Sequence, residues 1–129
     1  MKLVIILLIF LLVPIGAFAL GQGQKKSEPC ADAQTQADMN ICWGKEYKAA
    51  DATLNQVYAQ LMRKLDEADK TQLKQVETAW LKYRDANCEF VGDQYKGGSM
   101  RPMIVAMCLA DTTRNRTVEL RNQIKDRDQ

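Results

Sequence analysis

The stretch Thr35–Leu65, TQADMNICWGKEYKAADATLNQVYAQLMRKL, decides the fold. Met39, Cys42, Tyr47, Ala50, Leu54, Tyr58, Leu61 and Leu65 recur in steps of three to five, which places one apolar stripe along one face of a helix. Thr35 followed three residues later by Asp38 reads as a capping box that starts it. The charged run Asp66-Glu67-Ala68-Asp69-Lys70 breaks the stripe and predicts a turn, with Thr71 able to cap the next helix.

Outward from that stretch the pattern stays helical. Leu73, Val76, Trp80, Tyr83 or Arg84, Cys88 and Val91 form a second stripe, which Gly97-Gly98 ends. Ser99 and Pro102 suit the first turn of a third helix. Its stripe is Met103, Met107, Ala110, Arg114 or Asn115, Val118 and Arg121. No β-type alternation and no internal repeat interrupts the series. The expected fold is all-α, a three-helix up-down-up bundle over residues 35–125.

The N-terminus has a different character. Met1-Lys2 is followed by an unbroken apolar run from Leu3 to Val13, the breaker Pro14-Ile15-Gly16, and Ala17-Phe18-Ala19. This is the three-part pattern of a secretory signal peptide, 1–19, with cleavage after Ala19. The run is short of the ~20 residues a membrane span requires, so no stable anchor is expected once it is removed. Residues 20–34, rich in Gly, Gln and Lys, read as a flexible lead-in. The expected location is periplasmic or secreted.

Composition narrows the function. Without Lys2, 17 Lys and Arg stand against 16 Asp and Glu, a balance that gives no field for nucleic acid. The chain has no histidine, so the commonest general base is missing. Its four cysteines, Cys30, Cys42, Cys88 and Cys108, form an even set in a small exported chain, the signature of disulfides. There is no C-x-x-C pair to favour zinc. Up-down-up topology brings all four to one end, where any of three pairings is open. With every thiol oxidised, no cysteine nucleophile remains. The chain is therefore expected to be a binding protein without catalysis, cofactor or metal. Met100, Met103 and Met107 lie at helical spacing, where thioethers more often fill a core than bind copper.

Two groups of residues stand out. Asp51, Asn55 and Tyr58 share a face of the first helix, as do Trp80, Arg84 and Cys88 of the second. A buried charge needs a partner, so Asp51 is expected to pair with Arg84 or Arg116, with Asn55 completing a structural polar network. Tyr95, Lys96, Gly97, Gly98, Ser99 and Arg101 combine an aromatic, two cations and a tight turn beside braced helix ends. They form the candidate partner-binding loop.

The ordered set Cys30, Cys42, Asp51-x-x-Leu54-Asn55-x-x-Tyr58, Trp80-x-x-x-Arg84-Asp85-x-x-Cys88, Gly97-Gly98-Ser99, Cys108 and Arg116-x-x-x-Leu120 resembles the LprI-like lysozyme-inhibitor family. The resemblance spans Cys30 to about Leu120. It implies a small exported bacterial domain, the pairings Cys30–Cys42 and Cys88–Cys108, and a protein partner, lysozyme, whose active site it would occlude. An exported interaction module with another protein partner is the alternative. Glu77 departs from the pattern, in which Gln is expected three residues before the Trp.

Overall fold

The computed structural model describes residues 28–129. The signal peptide and residues 20–27 of the lead-in lie outside the described residues. Three helices follow in order: α1 (Gln36–Met62), α2 (Glu67–Asp93) and α3 (Arg101–Arg127). Contacts between helix ends fix the topology. Gln36 at the start of α1 reaches Met103 at the start of α3, and Lys64 just after α1 pairs with Asp128 just after α3. These two helices therefore run parallel, with α2 antiparallel between them in sequence. The bundle is the expected up-down-up arrangement.

Local chemistry accounts for most helix boundaries. Thr35 and Asp38 make the reciprocal capping box. At the next start the residue differs from the expectation. Asp66 is the N-cap of α2 and accepts from the Asp69 amide, while Thr71 lies inside the helix with its hydroxyl on the Glu67 carbonyl. A carboxylate at the cap also suits the positive end of the helix dipole, which is why the charged run starts the helix instead of forming the turn. α3 likewise begins at Arg101 without a side-chain cap, with Pro102 in its first turn. Ser99 stays in the loop, its carbonyl taken by the Asn40 side chain.

The apolar core occupies the end where α1 turns into α2. Leu54, Val57, Leu61, Leu65, Leu73 and Leu120 are buried together, with Tyr58, Met62, Trp80 and Ile124 packed around them. Toward the other end the buried residues are mostly small, Ala50, Gly92, Ala106 and Ala110, with Met103 the one large apolar side chain among them. Here backbones approach closely. A Cβ on Gly92 would clash with the Val105 side chain. Thr113 and Thr117 are buried on α3, and Thr117 satisfies its hydroxyl on the Thr113 carbonyl of its own helix. The inner face of α3 keeps the expected Met103 and Ala110 and adds Ala106, Thr113, Arg116, Thr117 and Leu120. Val118, expected there, is exposed.

Two disulfides hold the end opposite the leucines. Cys30 joins Cys42, with Cα atoms 5.8 Å apart. Cys88 joins Cys108, with Cα atoms 5.5 Å apart. The first ties the turns that follow Pro29 to α1, and Cys30 adopts the left-handed conformation at φ 64° to make that turn. Both pairings are those implied by the family resemblance.

Candidate functional site

Of the polar residues singled out in the sequence, Asp51, Asn55, Arg84 and Arg116 lie in the middle of the bundle, divided between the two arginines, while Tyr58 packs against the leucine core. Arg84 of α2 is buried, and its Nη1 donates to Asp51 Oδ1 of α1 at 3.2 Å and to Thr113 Oγ1 of α3 at 3.3 Å. It also pairs with Asp85 at 2.8 Å. Asn55 donates to the other oxygen of Asp51 at 3.3 Å. Arg84 thereby bonds residues of all three helices. Asp51 meets Arg84 and not Arg116.

Arg116 of α3 instead takes Glu77 of α2. Its Nε and Nη2 donate to Glu77 Oε2 at 3.1 and 3.0 Å, and its Nη1 donates to Glu119 at 2.8 Å. Glu77 is only 8 % exposed, which a reading by hydropathy has no reason to expect. In the sequence only the family resemblance distinguishes this position, as a departure from its pattern. A buried carboxylate at this site requires a cation, and Arg116 supplies it.

Trp80 joins the two units. The Arg84 guanidinium lies 5.3 Å from the Trp80 ring and 5.4 Å from that of Tyr47, while Arg116 lies 5.8 Å from Trp80. Partly desolvated cation–π contacts of this kind contribute about 1 kcal/mol each. Burial works against the charge of Arg84, but the bond to Asp85 leads the interactions that outweigh it, so its pKa is raised. Arg116 is raised against the same cost, chiefly by Glu119 and then Glu77. Burial also raises the Tyr47 and Tyr58 phenols, with Arg84 opposing it for Tyr47 and Glu77 adding to it for Tyr58.

The chemistry available here is structural. Asp51 and Glu77 are each committed to an arginine, so neither is a free general acid or base. Both described disulfides leave no free thiol among the described residues. The three methionines have separate surroundings: Met103 is buried, Met100 is exposed, and Met107 lines a groove.

Surfaces suited to a partner lie elsewhere. Residues 93–100 are exposed throughout. Within that loop Gly97 takes φ 80°, a conformation that favours glycine, and the Gly98 amide bonds the Tyr95 carbonyl at 2.9 Å. Asn40 fastens Ser99 to α1 at 3.1 Å. Arg101 turns back onto α2, 2.5 Å from Glu89 and 3.1 Å from Asp93. Arg101 thus anchors the loop, and Tyr95 to Ser99 form its outer arc. A separate groove of about 780 Å³ runs between α1 and α3, lined by Trp43, Glu46, Met107, Arg114 and Val118. Glu46 and Arg114 form an ion pair across it.

Known proteins give this geometry a context. The family model described as "Lysozyme inhibitor LprI" matches residues 27–120. Uncharacterized protein R02472 of Rhizobium meliloti (strain 1021) is 39 % identical over 116 residues, covering 80 % of this chain and 84 % of its own. Uncharacterized protein YecT of Escherichia coli (strain K12) is 25 % identical over 118 residues, covering 74 % and 71 %. No solved structure matches the chain.

Proposed function

The chain belongs to the lysozyme inhibitor LprI family, and we propose that it is an exported protein that binds a lysozyme and occludes its active site. The observation that carries this reading is the family match over residues 27–120. The signal-peptide pattern and the two disulfides suit an oxidising compartment outside the cytoplasm. No helix among the described residues is long and apolar enough to cross a membrane.

The inhibitory surface in this reading is the loop Tyr95-Lys96-Gly97-Gly98-Ser99 with its anchor Arg101. The Cys88–Cys108 disulfide, the Asn40 bond and the Arg101 ion pairs hold it before any partner arrives. Pre-ordering of this kind lowers the entropic cost of binding. Tyr95 supplies a flat ring to a sugar-binding cleft. Lys96 supplies a cation for the paired carboxylates of a glycosidase. Asp51, Asn55, Tyr58, Arg84 and Arg116 serve as the scaffold's register-fixing network, without touching the partner.

Titrating the oxidised protein into a lysozyme cell-wall lysis assay tests the function. Stoichiometric loss of lysis is expected, and full lysis at excess protein rejects it. Tyr95→Ala with Lys96→Ala should weaken inhibition by at least tenfold while leaving the thermal melt in place. A second reading, an exported interaction module with another protein partner, is favoured by the near balance of 17 basic and 16 acidic residues outside Lys2. That balance gives no long-range attraction to a strongly basic lysozyme. A stoichiometric non-lysozyme partner recovered from envelope extract, together with an inactive lysis titration, would select it.

A further inference from the structure

The two disulfides differ in what surrounds them. Cys88 is wholly buried, and its bridge joins α2 to α3 beside the close approach of Gly92 and Val105. The Asn87 side-chain amide donates to Cys108 Sγ at 3.7 Å. Cys30 and Cys42 are only half-buried. Both line an open groove of about 610 Å³, together with Pro29, Asp32, Asp38, Ile41 and Lys45. A thiolate must approach one sulfur in line with the S–S bond, so a bridge in the wall of a groove is accessible to exchange where one between packed helices is not. Cys30 also holds the left-handed conformation at φ 64°, alone among the described non-glycine residues. That conformation is unfavourable for a residue with a Cβ, and the bond to Cys42 ties down the turn that adopts it. Opening the bridge lets this strain relax, which favours the opened form.

We propose that Cys30–Cys42 is an exchange site for a dithiol oxidoreductase, a protein that carries a reactive cysteine pair, while Cys88–Cys108 stays closed as the structural bridge. The partner's thiolate attacks Cys30 Sγ. The Cys30–Cys42 bond breaks, and Cys42 leaves with the electron pair as a thiolate. Lys45 lies one helical turn after Cys42 on the same side of α1 and lines the same groove, so it supplies the cation beside the leaving sulfur. The partner's second thiol then gives up its proton and attacks the mixed disulfide, expelling Cys30. The partner departs with its pair oxidised to a disulfide. Cys30 and Cys42 are left reduced and take up the two protons that the partner's thiols lost.

The groove also selects the kind of thiol. Glu28, Asp32, Asp38 and Glu46 line it against Lys45, an excess of negative charge that repels a small anionic thiol such as glutathione. Ile41, 59 % exposed at its edge, offers an apolar contact that a protein surface can use and a small thiol cannot. Loop length works the other way, but weakly. The cysteines are separated by 12 residues in the first bridge and 20 in the second, which favours keeping the shorter loop closed by only about twofold. Opening has a consequence beyond the sulfurs. Glu28 and Pro29 also line the groove between α1 and α3, beside Trp43. Released from Cys42, the turn withdraws from that groove and Trp43 meets water.

Equilibrating the oxidised protein in buffers of reduced and oxidised dithiothreitol, followed by alkylation and mass spectrometry, tests the order of opening. Cys30 and Cys42 should be alkylated at a ratio of reduced to oxidised reagent about tenfold or more below the one that opens Cys88–Cys108. Circular dichroism should change little between the two steps, while Trp43 emission shifts to the red at the first step and the shift is absent in Trp43→Phe. A thioredoxin-type protein whose second active cysteine is replaced by serine should be trapped on Cys30. Lys45→Gln should slow opening by dithiothreitol about threefold, through the poorer leaving thiolate. Opening of both bridges together, or of Cys88–Cys108 first, overturns the proposal. So does a partner trapped on any other cysteine, an unslowed Lys45→Gln, or a first step that leaves Trp43 emission unmoved.

Discussion

The two ends of the bundle are held by different forces. At the α1–α2 turn, Leu54, Leu61, Leu65, Leu73 and Leu120 make a continuous apolar core. Burying side chains of this size contributes roughly 1.5–3 kcal/mol each. At the loop end the buried residues are alanine, glycine and cysteine with one methionine, Met103, and two disulfides tie the elements together. Small residues let helices approach but remove little surface from water. Covalent links supply what burial does not, at about 3 kcal/mol for a loop of this length. An end secured by cross-links can devote its outer residues to recognition, since they are not needed in the core. The exposed loop lies at that end.

The ionic layer separates the two ends, and breaking it should produce the largest effect. Arg116→Met leaves Glu77 buried without a counter-charge. A loss of about 3–5 kcal/mol in chemical denaturation is expected. Adding Glu77→Gln to that variant removes the stranded charge and should restore most of the loss. If the double variant is as unstable as the single one, the cost lies in packing and not in charge. At the leucine end, Leu120→Ala should cost about 2–5 kcal/mol, close to the ionic layer in size but without rescue by any polar change.

Reading by hydropathy succeeds and fails along the same division. The leucine end was legible because its inward residues are also its apolar ones, at helical spacing. The cap at Thr35 was legible because Asp38 answers it three residues later. The cysteines were legible as a set, and the family resemblance supplied their pairing. α2 misleads because periodicity assigns the apolar side of a helix to the core. Val76, expected inward on that ground, faces solvent, and of the two alternatives Tyr83 and Arg84 it is Arg84 that turns inward. Glu77 turns inward because Arg116 of α3 waits there, a long-range pairing that no local pattern encodes. Thr113 and Thr117 are illegible in the sequence for a related reason. A hydroxyl bonded within the structure packs like a small apolar group, but its residue type does not announce it. The polar network was half legible: Asp51, Asn55 and Arg84 lie together, while the partner of Arg116 was Glu77, a position set apart only by resemblance.

The contrast between the ends sharpens under reduction. Replacing Cys88 and Cys108 by alanine should lower stability by about 3 kcal/mol. The loss should also be local. Amide exchange should accelerate across Tyr95–Met103, where the disulfide braces the loop, and remain slow at Leu54–Leu61. Uniform acceleration along all three helices would mean that the ends unfold as one unit and that the division drawn above has no thermodynamic content.

The smallest effect concerns pH. The Tyr47 phenol, stacked against Arg84 toward the disulfide end, and the Tyr58 phenol, packed on the leucine core, both have pKa values raised above the ordinary 10.0, first by burial. The folded state holds these protons more tightly than the unfolded chain does. Their contribution is therefore fully present below pH 10 and is lost as the pH rises above it, where the unfolded chain ionises first. Stability should fall with a steeper slope above pH 10 than below it. Tyr47→Phe and Tyr58→Phe should each make that slope shallower, because each removes one proton that unfolding releases. An unchanged alkaline slope in Tyr47→Phe would mean that the ring stacked on Arg84 meets water as freely in the folded protein as in the unfolded one. The disulfide end would then be more open than its cross-links suggest.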